Sequence, residues 1–392
     1  MKHVLTLSAL LLACTAHAQT APTPNTPKRE AWQFGAVLDL THSTRALALG
    51  QREQGLQLGH SDLTASGPLG PWLRGHVGAV LATHDGKLEK GFEEVYAETP
   101  ALPAGLQLRA GRFASQIGQL NQQHPHADDF SERPLLYRAF FGGHWNDDGL
   151  RLNLTLPTPI YWMVGAEAFR GRKLVDEMAN RERKPGALTL VTKLGGDIGR
   201  SHSWQLGLSY LNNRREASVE LEDEHHEEHE DHEDHDAHEH DEHAGHSHAA
   251  LFTGRKTWMV DATWKWAPNG NNREQQLRIS FEAARTTGLN RYANAGQRHE
   301  ANAIAAVWRF NPSWEVGARS DWLRVNQPHG DHFHKGLLRE HSLMLAWKPS
   351  HMQAVRLQVS RQRDAVEFEN PSKRSVFLQY VIAFGAHGAH AF

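Results

Sequence analysis

Apolar and polar side chains alternate with a period of two along almost the whole chain, and no apolar run approaches the ~18 residues of a helical membrane span. Leu106, Leu108 and Ala110 alternate with Gln107, Arg109 and Gly111; Leu150, Leu152, Leu154 and Leu156 alternate with Arg151, Asn153 and Thr155. The pattern recurs at Trp204, Leu206, Leu208 and Tyr210, at Leu277, Ile279, Phe281 and Ala283, and at Val376, Leu378, Tyr380, Ile382 and Phe384. A strand with one apolar and one polar face, repeated this often, fits a sheet with lipid on one side and water on the other. Sixteen such segments can be counted, with fourteen or eighteen as neighbouring solutions. The expected fold class is all-β, a closed antiparallel transmembrane barrel, because lipid leaves no partner for an open sheet edge. A soluble β-sandwich or β-solenoid is the competing architecture.

The connections alternate in length. Short ones include Pro157-Thr158-Pro159, Asn311-Pro312-Ser313 and Pro349 to Gln353; long polar ones cover roughly 114–148, 171–186, 212–256, 286–299, 324–340 and 363–374. With both termini periplasmic, every long segment falls outside the cell. Tryptophan placement agrees: Trp32, Trp72, Trp162, Trp204, Trp264, Trp266, Trp308, Trp314 and Trp347 fall near periplasmic strand ends, and Trp258 and Trp322 near the opposite ends.

The amino terminus reads as a secretory signal over residues 1–18: Lys2 and His3, the apolar run Val4 to Ala13, then Ala16-His17-Ala18. An acylated Cys14 within Leu11-Leu12-Ala13-Cys14 is the alternative. Residues 19–30 would be a short periplasmic segment and 31–392 the barrel, a lead too short for a folded plug. The expected location is the outer membrane of a Gram-negative bacterium, with its lipid and the barrel assembly machinery as partners and a trimer as an open possibility. A formal net charge of −3 argues against nucleic acid as a partner. With Cys14 removed the mature chain holds no cysteine, which leaves His, Asp and Glu as strong metal ligands. No Gly-x-Ser-x-Gly elbow or paired catalytic carboxylates stand out, so an enzyme is not expected.

Three features carry chemistry. Between residues 220 and 248 stand His225, His226, His229, His232, His235, His238, His240, His243, His246 and His248, interleaved with Asp and Glu and with no Lys or Arg. Neutral imidazoles and carboxylates are Zn²⁺ ligands, so this extracellular segment is expected to gather divalent metal ions as bound or transported ligand, with no cofactor required. The alternative is an acidic solvated loop with incidental histidines. The third loop, Ala114 to Asp148, is expected to fold inward and narrow the lumen at His124, His126, Asp128 and Asp129; a loop merely tied to the wall by hydrogen bonds is the other reading. A third cluster, His329, Asp331, His332 and His334, lies in the seventh loop and reads either as a second surface metal site or, more simply, as a polar surface loop. Against a cation path stands the wall itself. If the apolar side faces lipid, Arg74, Arg109, Arg151, Arg278, Arg319 and Arg356 face the lumen, which favours anions unless neighbouring acids neutralise them.

A resemblance rests on Gly111-Arg112-Phe113, Asn121 through Phe130, Arg133-Pro134-Leu135-Leu136-Tyr137-Arg138-Ala139-Phe140, Gly165 through Gly171 and the closing Gly385 to Phe392. These segments resemble a family of plug-less bacterial outer-membrane proteins, often labelled zinc-regulated or TonB-dependent-receptor-like, and more distantly the phosphate-selective porins. The resemblance implies an outer-membrane channel linked to zinc supply, with Phe392 as the aromatic terminus used in barrel assembly; the short lead before Ala31 departs from true TonB-dependent receptors, so passive or facilitated diffusion is expected in place of plug-gated uptake.

Overall fold

A computed structural model of the chain describes residues 31–100, 102–174, 185–214, 250–366, 368 and 373–385. The strand segments in chain order are β1 (Gln33–Ser43), β2 (Gly55–Leu58), β3 (Ser61–Pro68), β4 (Arg74–His84), β5 (Lys87–Glu98), β6 (Leu106–Ala114), β7 (Asn146–Thr155), β8 (Tyr161–Phe169) and β9 (Ala187–Ile198). They continue with β10 (His202–Asn213), β11 (Lys256–Trp266), β12 (Gln276–Thr287), β13 (His299–Asn311), β14 (Trp314–His329), β15 (His332–Ser350), β16 (Gln353–Val366) and β17 (Arg374–Gly385). Each pairs antiparallel with its neighbours, and β17 returns to β1, with Gly35 opposite Gly385 and Ser43 opposite Phe377, so the sheet closes. β2 and β3 both pair with β1, Leu40 facing Leu58 and Val37 facing Asp62. They are two halves of one broken crossing, and the seventeen segments make a barrel of sixteen crossings among the described residues.

Alternation places the apolar set outside. Leu63, Leu88, Phe92, Leu150, Leu190, Trp258 and Leu343 are all exposed on the outer wall, where lipid covers them. A closed barrel with such a belt is an outer-membrane protein of the Gram-negative type, and no described helix is long and apolar enough to cross a membrane. One connection differs from expectation: 324–340 is not a loop. β14 and β15 continue as a hairpin to His329 opposite His332, because Arg324 faces Leu337 and Asn326 faces Lys335 in unbroken register, and Gly330 takes the left-handed φ of 62° that the tight turn needs.

The loop between β6 and β7 folds into the barrel. Ser115 N–H donates to the Trp145 carbonyl at its neck (3.1 Å), and Asn121 ties both sides, Nδ2 donating to the carbonyls of Ser115 (2.9 Å) and Trp145 (2.8 Å). Helix α1 (Leu135–Phe141) sits inside it, entered after Pro134 and ended by left-handed Gly142. All seven of its residues are buried. Leu135, Leu136, Tyr137 and Phe140 pack with Phe113, Ile117 and Trp145 against wall residues Phe169, Leu211, Met259, Leu323 and Leu338. The interior half nearest the long connections thus holds an apolar core, and each Leu or Phe fully buried there stabilises the inward loop by about 2 kcal/mol.

Candidate metal centre in the lumen

Two irregularities in the wall aim polar side chains at one point. Between the pairs Leu40–Leu58 and Val37–Asp62 the β2–β3 crossing carries one residue more than β1, a bulge at Gly59, His60 and Ser61. Between β4 and β5, Gly78 faces Glu94 while Ala79 faces Phe92, so Glu93 is the extra residue of a second bulge. A regular strand would send one of Glu93 and Glu94 to lipid; the bulge turns both inward. Gly59 is required at the first bulge, because a Cβ there would overlap the buried Arg52–Asp39 ion pair.

The third loop brings its histidines to these wall residues. His60 Nε2 lies 2.9 Å from Glu93 Oε2 and 3.0 Å from Asp62 Oδ1. His124 Nδ1 lies 3.2 Å from His60 Nε2, 3.1 Å from Asp62 Oδ2 and 3.2 Å from Glu93 Oε2, and His126 Nδ1 lies 3.2 Å from Asp62 Oδ2. The donor atoms of His60, Asp62, Glu93 and His124 all fall within 4.8 Å of one another. Four donors around a tetrahedral ion with bonds of ~2.0–2.1 Å stand roughly 3.3 Å apart; the distances among His60, Glu93 and His124 match the edges of such a shell, and Asp62 reaches His60 through Oδ1 and His124 through Oδ2. Asp62 Oδ1, Glu93 Oε2 and His126 Nδ1 are buried without a hydrogen bond. A buried polar atom left unsatisfied is costly, and a cation at the common point would satisfy the two carboxylate oxygens.

An outer ring orients these groups. Glu93 Oε1 accepts from Asn146 Nδ2 (3.0 Å) and meets His144 Nδ1 at 2.7 Å, which leaves Oε2 facing the centre. His144 Nε2 lies 2.9 Å from the Asn121 carbonyl. Both partners of His144 are acceptors, so they compete for the single proton of the neutral ring that burial favours. At His124 burial opposes charge, but Asp62, Glu93 and Glu94 outweigh it and hold the imidazole pKa well above its usual value in the metal-free protein. A metal ion would take over the role of that proton.

The anticipated constriction residues separate into two groups. His124 and His126 enter the centre, whereas Asp128 receives Arg133 Nε (2.8 Å) and Asp129 pairs with Arg278, both as anchors of the loop. Asp129 is held below the ordinary carboxylate range: burial works against ionisation, and Arg278, with Lys348 and Arg356 beyond it, prevails. The wall arginines lie among acids. Arg109 meets Glu98 (2.7 Å), Arg151 meets Glu167 (2.6 Å), and Arg319 meets Asp321 (2.7 Å) and Glu340 (2.9 Å). Arg356 donates to the carbonyl of Asp128 (2.5 Å), and Arg74 stands opposite Glu98. His225, His226, His229, His232, His235, His238, His240, His243, His246 and His248 lie outside the described residues, as do the signal and periplasmic segments. At the β14–β15 tip Asp331 and His332 are exposed, 3.3 Å apart. Glu53 and His84, both half-buried, form a second group with exposed Asp85 at the rim.

Sequence reasoning missed His60, Asp62, Glu93, Glu94 and His144. The available signal was parity: outward Leu56 and Leu63 are seven positions apart, and outward Phe92 and Val95 three, odd intervals that a regular strand cannot hold on one face.

No family model matches the chain. An uncharacterized protein of Aquifex aeolicus is 26% identical over 360 residues, covering 87% of this chain and 71% of that one. Among solved structures, OprB of Pseudomonas putida at high pH superposes with a TM-score of 0.56 at 11% identity, covering 92% of this chain and 94% of that one. The anion-selective porin of Comamonas acidovorans gives 0.52 at 10% identity over 91% of this chain and 100% of that one, and the trimer form of Vibrio cholerae OmpT gives 0.53 at 9% over the same shares. At such identities the likeness is one of fold, and that fold is the porin-like outer-membrane barrel.

Proposed function

We propose that this protein is an outer-membrane channel for small solutes whose lumen binds and passes divalent transition-metal ions, with Zn²⁺ as the best-fitting cargo. One observation carries the reading: two wall bulges and an inward loop bring the donor atoms of His60, Asp62, Glu93 and His124 within 4.8 Å of one another. Imidazole with carboxylate suits Zn²⁺ better than the all-oxygen shells of Ca²⁺ or Mg²⁺. In this reading the His-rich segment from 220 to 248 is an extracellular antenna that raises metal concentration at the mouth, as the resemblance to zinc-regulated proteins implies. Membrane lipid surrounds the barrel, and a trimer like that of the Vibrio protein is compatible with the exposed outer wall.

A second reading is an anion-selective or general porin with an incidental acidic loop. The arginine-rich wall and the Comamonas neighbour favour it. The acidic partners of Arg109, Arg151, Arg278 and Arg319 weigh against it, since a paired guanidinium attracts a passing anion less than a free one. Zinc flux into liposomes containing the purified protein separates the two. Saturable zinc entry that is lost in His60→Ala/His124→Ala is expected; equal zinc and chloride permeation unaffected by the double substitution would overturn the metal reading.

A further inference from the structure

His76 lies outside the centre, and Glu94 stands between the two. The bulge places Glu94 next to Glu93, and the two carboxylates flank the His124 ring: Glu93 Oε2 lies 3.2 Å from Nδ1, and Glu94 Oε2 lies 3.4 Å from Nε2. Both glutamates are held alike. Glu93 Oε1 accepts from Asn146 Nδ2 (3.0 Å), Glu94 Oε1 accepts from the Ala114 N–H (3.1 Å), and in each the second oxygen is left to the lumen. His76 on β4 brings Nε2 to 3.6 Å from that second oxygen of Glu94, and this nitrogen is buried without a hydrogen bond. The His76 ring stacks on Tyr96, which fixes its direction (centroids 4.9 Å apart).

The order along the wall gives the cluster its meaning. β5 descends from the rim of the long connections toward the opposite one, so Glu93, Glu94 and Tyr96 follow one another downward, and His76 stands opposite Tyr96. We infer that Glu94 and His76 are a second divalent-metal station on the periplasmic side of the His60–Asp62–Glu93–His124 centre, receiving the ion that the centre releases. The inference rests on the reading of that centre as a metal site. Transfer would be ligand exchange: the ion would leave His60, Asp62, Glu93 and His124 as Glu94 Oε2, His76 Nε2 and water replace them, with no change of oxidation state. A second station of fewer protein ligands holds the ion more weakly, as conduction requires of sites in series.

The test is diffraction from crystals of the full chain soaked in zinc chloride and measured at the zinc edge, with zinc flux measured in liposomes. Two anomalous peaks are expected, one beside His60 and His124 and a weaker one between Glu94 and His76. In His76→Ala the first peak should remain and the second vanish, with flux falling about tenfold; His76→Gln, which preserves more of the stacking contact, serves if the alanine variant does not assemble. A peak at the centre alone in the unaltered protein, or unchanged flux in both His76 variants, would overturn the second station and leave the centre intact. No peak at either position would overturn the reading on which the station rests.

Discussion

Glu93 divides two tasks between its oxygens: Oε1 meets His144 at 2.7 Å while Oε2 faces His60 and His124. His144 meets the oxygen of Glu93 that faces away from the centre, so with an ion bound it would act as a positioning residue for Glu93. Replacing such an outer partner lowers metal affinity by about 10–100-fold without removing a ligand. His144→Ala should therefore weaken zinc binding at the centre within that range, as read by competition with a chromophoric chelator; identical affinity would show that Glu93 orients itself. A second residue-scale expectation concerns Glu340, which receives Arg138 (2.7 Å), Arg319 (2.9 Å) and Gln362 (2.9 Å) with no exposure. Glu340→Ala leaves two guanidinium groups in a water-excluded interior short of a partner, a change that costs about 3–5 kcal/mol. The heat-induced mobility shift of the barrel in detergent gels should move to lower temperature; an unmoved transition would mean that water reaches these arginines.

At the scale of elements, the strands were legible because one physical rule governs them all: a wall between lipid and water forces side chains to alternate, so the pattern of Leu150, Leu152 and Leu154 places β7 directly. The bulges were harder to read because they break that rule to serve the site. Gly59, His60, Asp62, Glu93 and Glu94 look like loop or lumen residues until the odd intervals between outward apolar neighbours are counted. Gly59→Ala would press a methyl against the Arg52–Asp39 pair and swing the bulge; zinc affinity should fall with the barrel still closed, as judged by unchanged far-UV circular dichroism. Retained affinity would mean that the bulge relaxes around the methyl. The inward loop was legible in its length, and tethering to the wall was one of its two readings, but the partners of its anchors were not legible. One of these, Asp129 to Arg278, has a pH sign: the folded pKa lies below the ordinary 3.8, so its contribution is complete above that value and is lost as pH falls below it. Single-channel current should be steady at pH 6 and become noisy below about pH 4, and Asp129→Asn should be noisy at both. A quiet Asp129→Asn channel would show that the apolar core of α1 holds the loop unaided.

At the scale of the whole molecule, the described chain on either side of the His-rich segment lies on the side of the barrel that carries the inward loop. The described chain before that segment ends at Arg214, whose N–H donates to the Gly186 carbonyl (2.7 Å), and the chain after it begins with buried Ala250 and Phe252, the latter donating to the Ala139 carbonyl of α1 (3.1 Å). The chain that follows the segment therefore rests on the helix of the inward loop that carries His124 and His126. Ten imidazoles among carboxylates offer many overlapping ligand sets, so loss of one histidine should matter little and loss of all should matter at low metal concentration. The centre is a single set and should respond to single substitutions. Replacing the ten histidines by glutamine, with the backbone length kept, should lower zinc flux severalfold at submicromolar zinc and leave it unchanged at saturating zinc, because supply to the mouth falls while the path is intact. His60→Ala should do the reverse, depressing flux at every concentration. Flux curves for both variants across zinc concentration check this, and a glutamine variant that matches the parent at the lowest zinc would reduce the segment to solvated surface while leaving the centre as the metal-binding part of the channel.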